Sequence, residues 1–103
     1  MALMFVLELT YTAPLERVDA ALPDHVAWLK KHYAAGHFLA AGRKVPRDGG
    51  VILASVADRA TAERIVAEDP FTIAGVCDYR ITEFVATTTA PELEPYREQL
   101  PPS

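Results

Sequence analysis

The 103-residue sequence predicts a single α+β domain with the element order β-α-β-β-α-β, and three observations lead there. Apolar residues alternate with period two at 1–12, 37–45 and 78–87, and a short, almost continuously apolar run occupies 51–56. Two intervening segments repeat their apolar residues at spacings of three and four, as helices do. Proline and glycine clusters mark the joints. This order builds a four-stranded antiparallel sheet with both helices on one face. Residues 1–87 make the domain, and 88–103, with four of the eight prolines, read as a proline-rich tail.

Strand one, Met1–Thr12, sets Leu3, Phe5, Leu7, Leu9 and Tyr11 on one face and Met4, Val6, Glu8, Thr10 and Thr12 on the other. The first face is core. The second is too apolar at its start for water and is expected to meet another sheet. Thr12-Ala13-Pro14 breaks the strand, and Leu15–Ala21 reads as a connector or a loose turn of helix. Pro23 suits a first helical turn, where a missing N–H costs nothing, so helix one is expected from Leu22. Its apolar stripe is then Leu22, Val26, Leu29 and Tyr33, and Gly36 caps its end. His32 and the lysines before it fall in the last turns, where positive charge is favoured.

Strand two is His37–Val45, with Phe38, Ala40 and Gly42 alternating against Leu39, Ala41 and Arg43. Pro46–Gly50 is a hairpin turn and Val51–Val56 is strand three. Asp58 caps a second helix that buries Ala62, Ile65 and Val66 and runs to about Glu68. Pro70 ends it by excluding Asp69 from the helical region. A short segment to Gly75 leads into strand four, Asp78–Thr87, and in the tail Leu93, Tyr96 and Leu100 are placed to pin the chain to a surface.

Composition excludes several function classes. Half the residues are hydrophobic and 23% are charged, which is globular and not disordered. The formal charge is −4, the pI is about 5.2, and no basic cluster or basic helix face exists. Nucleic acid and anionic membranes are therefore not the expected partners. Cys77 is the only cysteine, so an intrachain disulfide and a cysteine zinc site are both excluded, and a small core residue is the expected role. The opening apolar run lacks a basic start and is interrupted by Glu8, so it reads as a strand rather than a signal peptide. A cytoplasmic location is the default expectation. The uncovered sheet face predicts a homodimer, with sheets face to face or closed into a shared barrel.

No glycine-rich nucleotide fingerprint, phosphate loop, nucleophile elbow or His-Glu-x-x-His motif is present. Histidines, carboxylates and Arg43 carry what chemistry there is. His25 borders the apolar stripe in the expected first turn of helix one, where the positive helix end favours the neutral ring that a general base needs. A plain helix-packing histidine fits the same position. Asp69, just before Pro70, is a natural N-cap. Capping is the first reading of it; the second, compatible with the first, is that two side-by-side helices can bring it to His25 to hold the ring's tautomer. His25 and His32 lie two turns apart, about 10 Å, too far for joint metal ligation, so no metal is expected. Arg43 can bind a carboxylate or phenolate bidentately, or simply cap a hairpin in water.

The elements Leu9-Thr-Tyr-Thr, Asp24-His25 with Leu29, Gly36-His-Phe-Leu-Ala-Ala-Gly42, Gly49-Gly-Val-Ile-Leu and Asp69-Pro-Phe-Thr-Ile-Ala-Gly75 resemble the YciI-like (YCII-related) family over residues 1–87. The resemblance implies a ferredoxin-like α+β sandwich that dimerises into an α/β barrel, and a His–Asp pair in a cleft, here His25 and Asp69. One departure stands out. Many members follow the strand-two glycine with proline, where this chain has Arg43. The expected function is a cofactor-free lyase or isomerase acting by acid/base chemistry on a small organic molecule, with Arg43 and Tyr11 as substrate-binding residues. The alternative is a non-catalytic dimer that binds a small ligand or regulates a partner.

Overall fold

The structure, a computed structural model, describes residues 3–98. Its elements are β1 (Leu3–Tyr11), α1 (Leu15–Ala34), β2 (Phe38–Arg43), β3 (Gly49–Val56), α2 (Arg59–Ala67), α3 (Pro70–Ile73) and β4 (Cys77–Phe84), followed by a 3-10 turn at Pro91–Tyr96. The four strands form one antiparallel sheet in the order β2-β3-β1-β4. The α+β class and the element order match the sequence expectation. No helix among the described residues is long and apolar enough to cross a membrane.

Register decides which residues reach the helices, because directly paired residues share a sheet face. Leu7 stands between Ile52 and Ile81, and Leu9 between Gly50 and Tyr79. On that face Phe5, Leu7, Ile52 and Ala54 join Trp28 of α1 and the Ala62-Ile65-Val66 stripe of α2 in one buried cluster. A second cluster, Leu9, Val18, Phe71, Val76 and Cys77, lies towards α3. Tyr79 packs against both. Asp58 caps α2 by accepting from Thr61 N at 2.7 Å, and the three buried residues of α2 are those the spacing indicated.

Helix α1 departs from expectation in two ways. It begins at Leu15 and not at Leu22, so Leu15–Ala21 is regular helix continuous with the rest rather than a connector or a loose turn, and Pro23 lies inside it. The early turns bury Val18 completely and pack Ala21 and Leu22 against the second cluster. That burial outweighs one missing hydrogen bond, and Asp19, whose carbonyl loses the proline's N–H, is exposed to water. The buried row is also rotated. It is Val18, His25, Trp28 and His32, whereas Val26 and Tyr33 are 37% and 41% exposed. Two of the four inward residues are histidines, which a count of apolar residues passes over.

Strand β2 holds a bulge. Phe38 pairs with Ala54 but Ala40 pairs with Leu53, which leaves Leu39 as the extra residue. Alternation inverts there, so Ala41 and Arg43, not Ala40 and Gly42, share the face of Phe38. The β2–β3 loop is 44–48, and Gly49 and Gly50 belong to β3 rather than to the turn. A Cβ on Gly49 would sit 1.9 Å from Leu9 O, so only glycine lets β1 lie this close.

The opposite sheet face carries Val6, Leu53, Val51 and Phe84, the last two 39% and 38% exposed. Beyond β4, Glu98 N donates to Ala86 O at 2.8 Å, and Leu93 and Tyr96 are half-buried. Leu100 lies outside the described residues, as do Met1 and Ala2 of the expected first strand.

Candidate active site

The junction of α2 and α3 is built by Asp69-Pro70. Proline restricts the residue before it, and Asp69 is accordingly extended (φ −61°, ψ 126°) while Pro70 opens α3. Asp69 Oδ1 then accepts from Phe71 N at 2.9 Å and caps the short helix. The same oxygen is 2.8 Å from His25 Nδ1, and Oδ2 accepts from the Tyr79 hydroxyl at 2.5 Å. The side chain is fully buried. Capping and holding a histidine ring are thus carried by one carboxylate, because its two oxygens offer several lone pairs.

His25 is the eleventh residue of α1, so the helix-end field invoked for a first-turn position does not apply to it. It is 7% exposed, stacked on Phe71 with ring centroids 4.0 Å apart and planes within 9°. Trp28 flanks it at 5.4 Å. A carboxylate only accepts hydrogen bonds, so the proton of a neutral His25 sits on Nδ1 and leaves Nε2 as the acceptor. Nε2 has no protein partner among the described residues, and His25 borders a cavity of about 270 Å³.

One wall of that cavity is the α1 stripe Leu22, Val26, Leu29 and Tyr33; the opposite side includes Tyr11, Arg43 and Gly50. The stripe that sequence spacing suggested as core is therefore the wall of an open site. Tyr11 is half-buried, edge-on to Phe71 at 6.0 Å, with the Arg47 guanidinium 5.8 Å above its ring. Arg43 is exposed at the rim, on the cavity side because of the bulge. Of the residues singled out from sequence, His25, Tyr11 and Arg43 border the cavity, and Asp69 stands directly behind His25.

Two participants were not evident. Tyr79 falls within the expected strand four with no role assigned to it; its signal is its place ten residues after Asp69. Burial, and then the neighbouring Asp69 charge, push its pKa far up, so it remains a phenol donor. Phe71 follows the Asp-Pro step and supplies the ring beneath His25. Nearby Cys77 is buried, and desolvation with the Asp69 charge raises its thiol to about 11. His32 does not join His25. Its Nδ1 lies 3.0 Å from His37 Nδ1, and burial followed by the His37 charge lowers its pKa, which contradicts the favoured positive charge expected there. Among the described residues no group of three His, Cys, Asp or Glu side chains could hold a metal ion.

A family model described as the YCII-related domain matches residues 4–85. No curated protein sequence matches the chain. Among solved structures, one similar fold is the 5-chloro-2-hydroxyhydroquinone dehydrochlorinase TftG of Burkholderia phenoliruptrix AC1100, in complex with 2,5-dihydroxybenzoquinone. It has a TM-score of 0.68 and 17% identity, over 81% of this chain and 94% of that one. Another is SnoaB, a cofactor-independent oxygenase of Streptomyces nogalater, with a TM-score of 0.52 and 17% identity, over 87% of this chain and 97% of that one. At such identities the likeness is one of fold.

Proposed function

We propose that this chain, which belongs to the YCII-related domain family, is a cofactor-free enzyme whose His25 moves a proton on a small organic molecule. The observation that carries this reading is the arrangement of His25. Asp69 engages its Nδ1, Phe71 packs beneath the ring, and Nε2 is left to an open cavity. A base needs that combination of a fixed tautomer and a reachable nitrogen. In an elimination, Nε2 takes a proton from a carbon or hydroxyl of the ligand, the bonding pair forms a new double bond, and the leaving group departs with its own pair. In an isomerisation, the imidazolium returns the proton to another atom. Asp69 stabilises the imidazolium in both, and Tyr79 holds Asp69 in place.

Small-molecule chemistry on this fold has support from the neighbours, since one is named for loss of hydrogen chloride from a hydroxylated ring and another for a cofactor-independent oxygenation. The two reactions differ, so the fold does not choose between them. Lyase or isomerase chemistry is favoured by the base. Tyr11 and Arg43, on the cavity wall, are assigned to substrate binding. The half-exposed apolar sheet face supports a homodimer, and a cytoplasmic location belongs to the same reading.

The test is a turnover screen against single-ring hydroxylated aromatics and lactones. For any substrate found, His25→Gln should lower kcat by about 10²–10⁴-fold while the melting temperature stays close to the parent's. A His25→Gln protein that folds and turns over at the parental rate contradicts the proposal. A variant that unfolds instead assigns His25 to packing. Ligand binding without turnover across the screen favours the non-catalytic alternative.

A further inference from the structure

Three cations cluster in the β2–β3 hairpin, and among the described residues only one lacks a counter-charge. Lys44 lies 3.5 Å from Glu8 and donates to Thr10, and Arg47 is paired with Asp19. Arg43 has no ion-pair partner among the described residues, is exposed, and borders the same cavity as His25. Its placement depends on the Leu39 bulge, without which it would point to the other sheet face. An unpaired guanidinium is notable on a chain of net charge −4, whose overall field repels anions.

The remainder of the cavity is shaped for a ring. Leu22, Val26, Leu29 and Tyr33 form an apolar wall, and Gly50 opposite contributes no side chain. An apolar cavity of about 150 Å³ accommodates benzene, so about 270 Å³ has room for one substituted ring.

We infer that the ligand of this site is a single-ring carboxylic acid, its ring on the α1 wall and its carboxylate on the Arg43 fork, and that Arg43 selects anionic over neutral molecules. This rests on the cavity being the substrate site, as proposed above. A guanidinium presents two parallel N–H donors that match a carboxylate, which is worth more than a point charge and is specific in direction. With the acid group held at the rim, the ring lies between Arg43 and His25, and its ring positions are brought towards Nε2.

The test is binding, so it does not depend on finding the reaction. Benzoate and the neutral benzamide are titrated into the uniformly ¹⁵N-labelled full chain, reading the amides of Gly42, Gly50, Val51 and Val26. Benzoate should give saturable shifts at these positions, weakened by added salt. Arg43→Gln should weaken benzoate about tenfold or more, as loss of a charged hydrogen-bond pair does, with Arg43→Lys in between and benzamide unaffected. Arg43-dependent benzoate binding in a parent protein that turns over nothing in the substrate screen would leave this inference standing while the catalytic reading fails, which separates the two. Equal affinity for benzoate and benzamide, unchanged benzoate binding in Arg43→Gln, or no saturable shift in the parent would each overturn it. So would an Arg43→Gln protein whose altered property is its oligomeric state.

Discussion

Asp69 receives three donors on two oxygens while fully buried, and the consequences of removing it follow from what would be left behind. Asp69→Ala strands the Tyr79 hydroxyl and the His25 Nδ1–H and uncaps α3, with each buried unpaired group costing about 1–3 kcal/mol. A total loss of roughly 3 kcal/mol or more in urea unfolding is expected, and a loss below about 1 kcal/mol would show that the network contributes little. Tyr79→Phe removes one donor alone, so stability should fall by about 1 kcal/mol. Cys77, with its thiol raised to about 11 and buried, should resist disulfide reagents at neutral pH in the folded protein and react after urea unfolding. Fast labelling of the native chain would contradict its burial. At this scale Pro70 made the capping role of Asp69 legible, whereas spacing alone left His25 a packing histidine, and the pairing of the two came from the family resemblance. Tyr79 stayed hidden, because an inward tyrosine on an amphipathic strand looks like any core aromatic until a carboxylate is placed against it.

The elements were legible where local chemistry decides them and illegible where packing does. Asp58, Pro70 and Gly75 (φ 69°) mark their boundaries by capping and backbone preference, and the structure uses all three. The start of α1 could not be read, because burial of Val18 overrides the usual meaning of Pro23. The bulge at Leu39 was equally silent, since only pairing with β3 reveals that one residue is extra. The end of α1 yields a pH prediction. His32 is 4% exposed, faces His37, and has Lys31 and Glu68 as its other charged neighbours. Its folded pKa lies below the unfolded value of 6.5, so the unfolded chain takes up the proton first. The contribution is present in full above the unfolded pKa and is lost as pH falls towards the folded one. Urea midpoints should therefore drop between about pH 7 and about pH 5, and His32→Leu should flatten the drop. An unchanged slope in that variant would assign the drop to other groups.

At the scale of the whole molecule, the sheet divides the chain's apolar surface into two halves with different uses. The helix-facing half is filled by two clusters with the site at their seam, where Tyr79 touches both and His25 lies between Phe71 and Trp28. The other half leaves Val51 and Phe84 partly exposed, the reason for proposing a homodimer. Leu53→Glu should then yield a monomer in sedimentation, and a parent that already sediments as a monomer would remove the proposal. The β-α-β-β-α-β order and the uneven polarity of the two faces were readable from the sequence, because strand period and helix period are local. The cavity was not, since it arises from α1 turning its Leu22-Val26-Leu29-Tyr33 stripe towards the β2–β3 hairpin. The proposed function rests on the His25 ring that borders it. The most direct measurement is long-range ¹H–¹⁵N NMR of the His25 imidazole above neutral pH, with His25→Gln to assign the signals. The Nδ1–H tautomer is expected, with an unprotonated Nε2 that shifts when a ligand fills the cavity. A ring protonated at Nε2, with Nδ1 bare, would contradict the arrangement of His25 as a base held by Asp69.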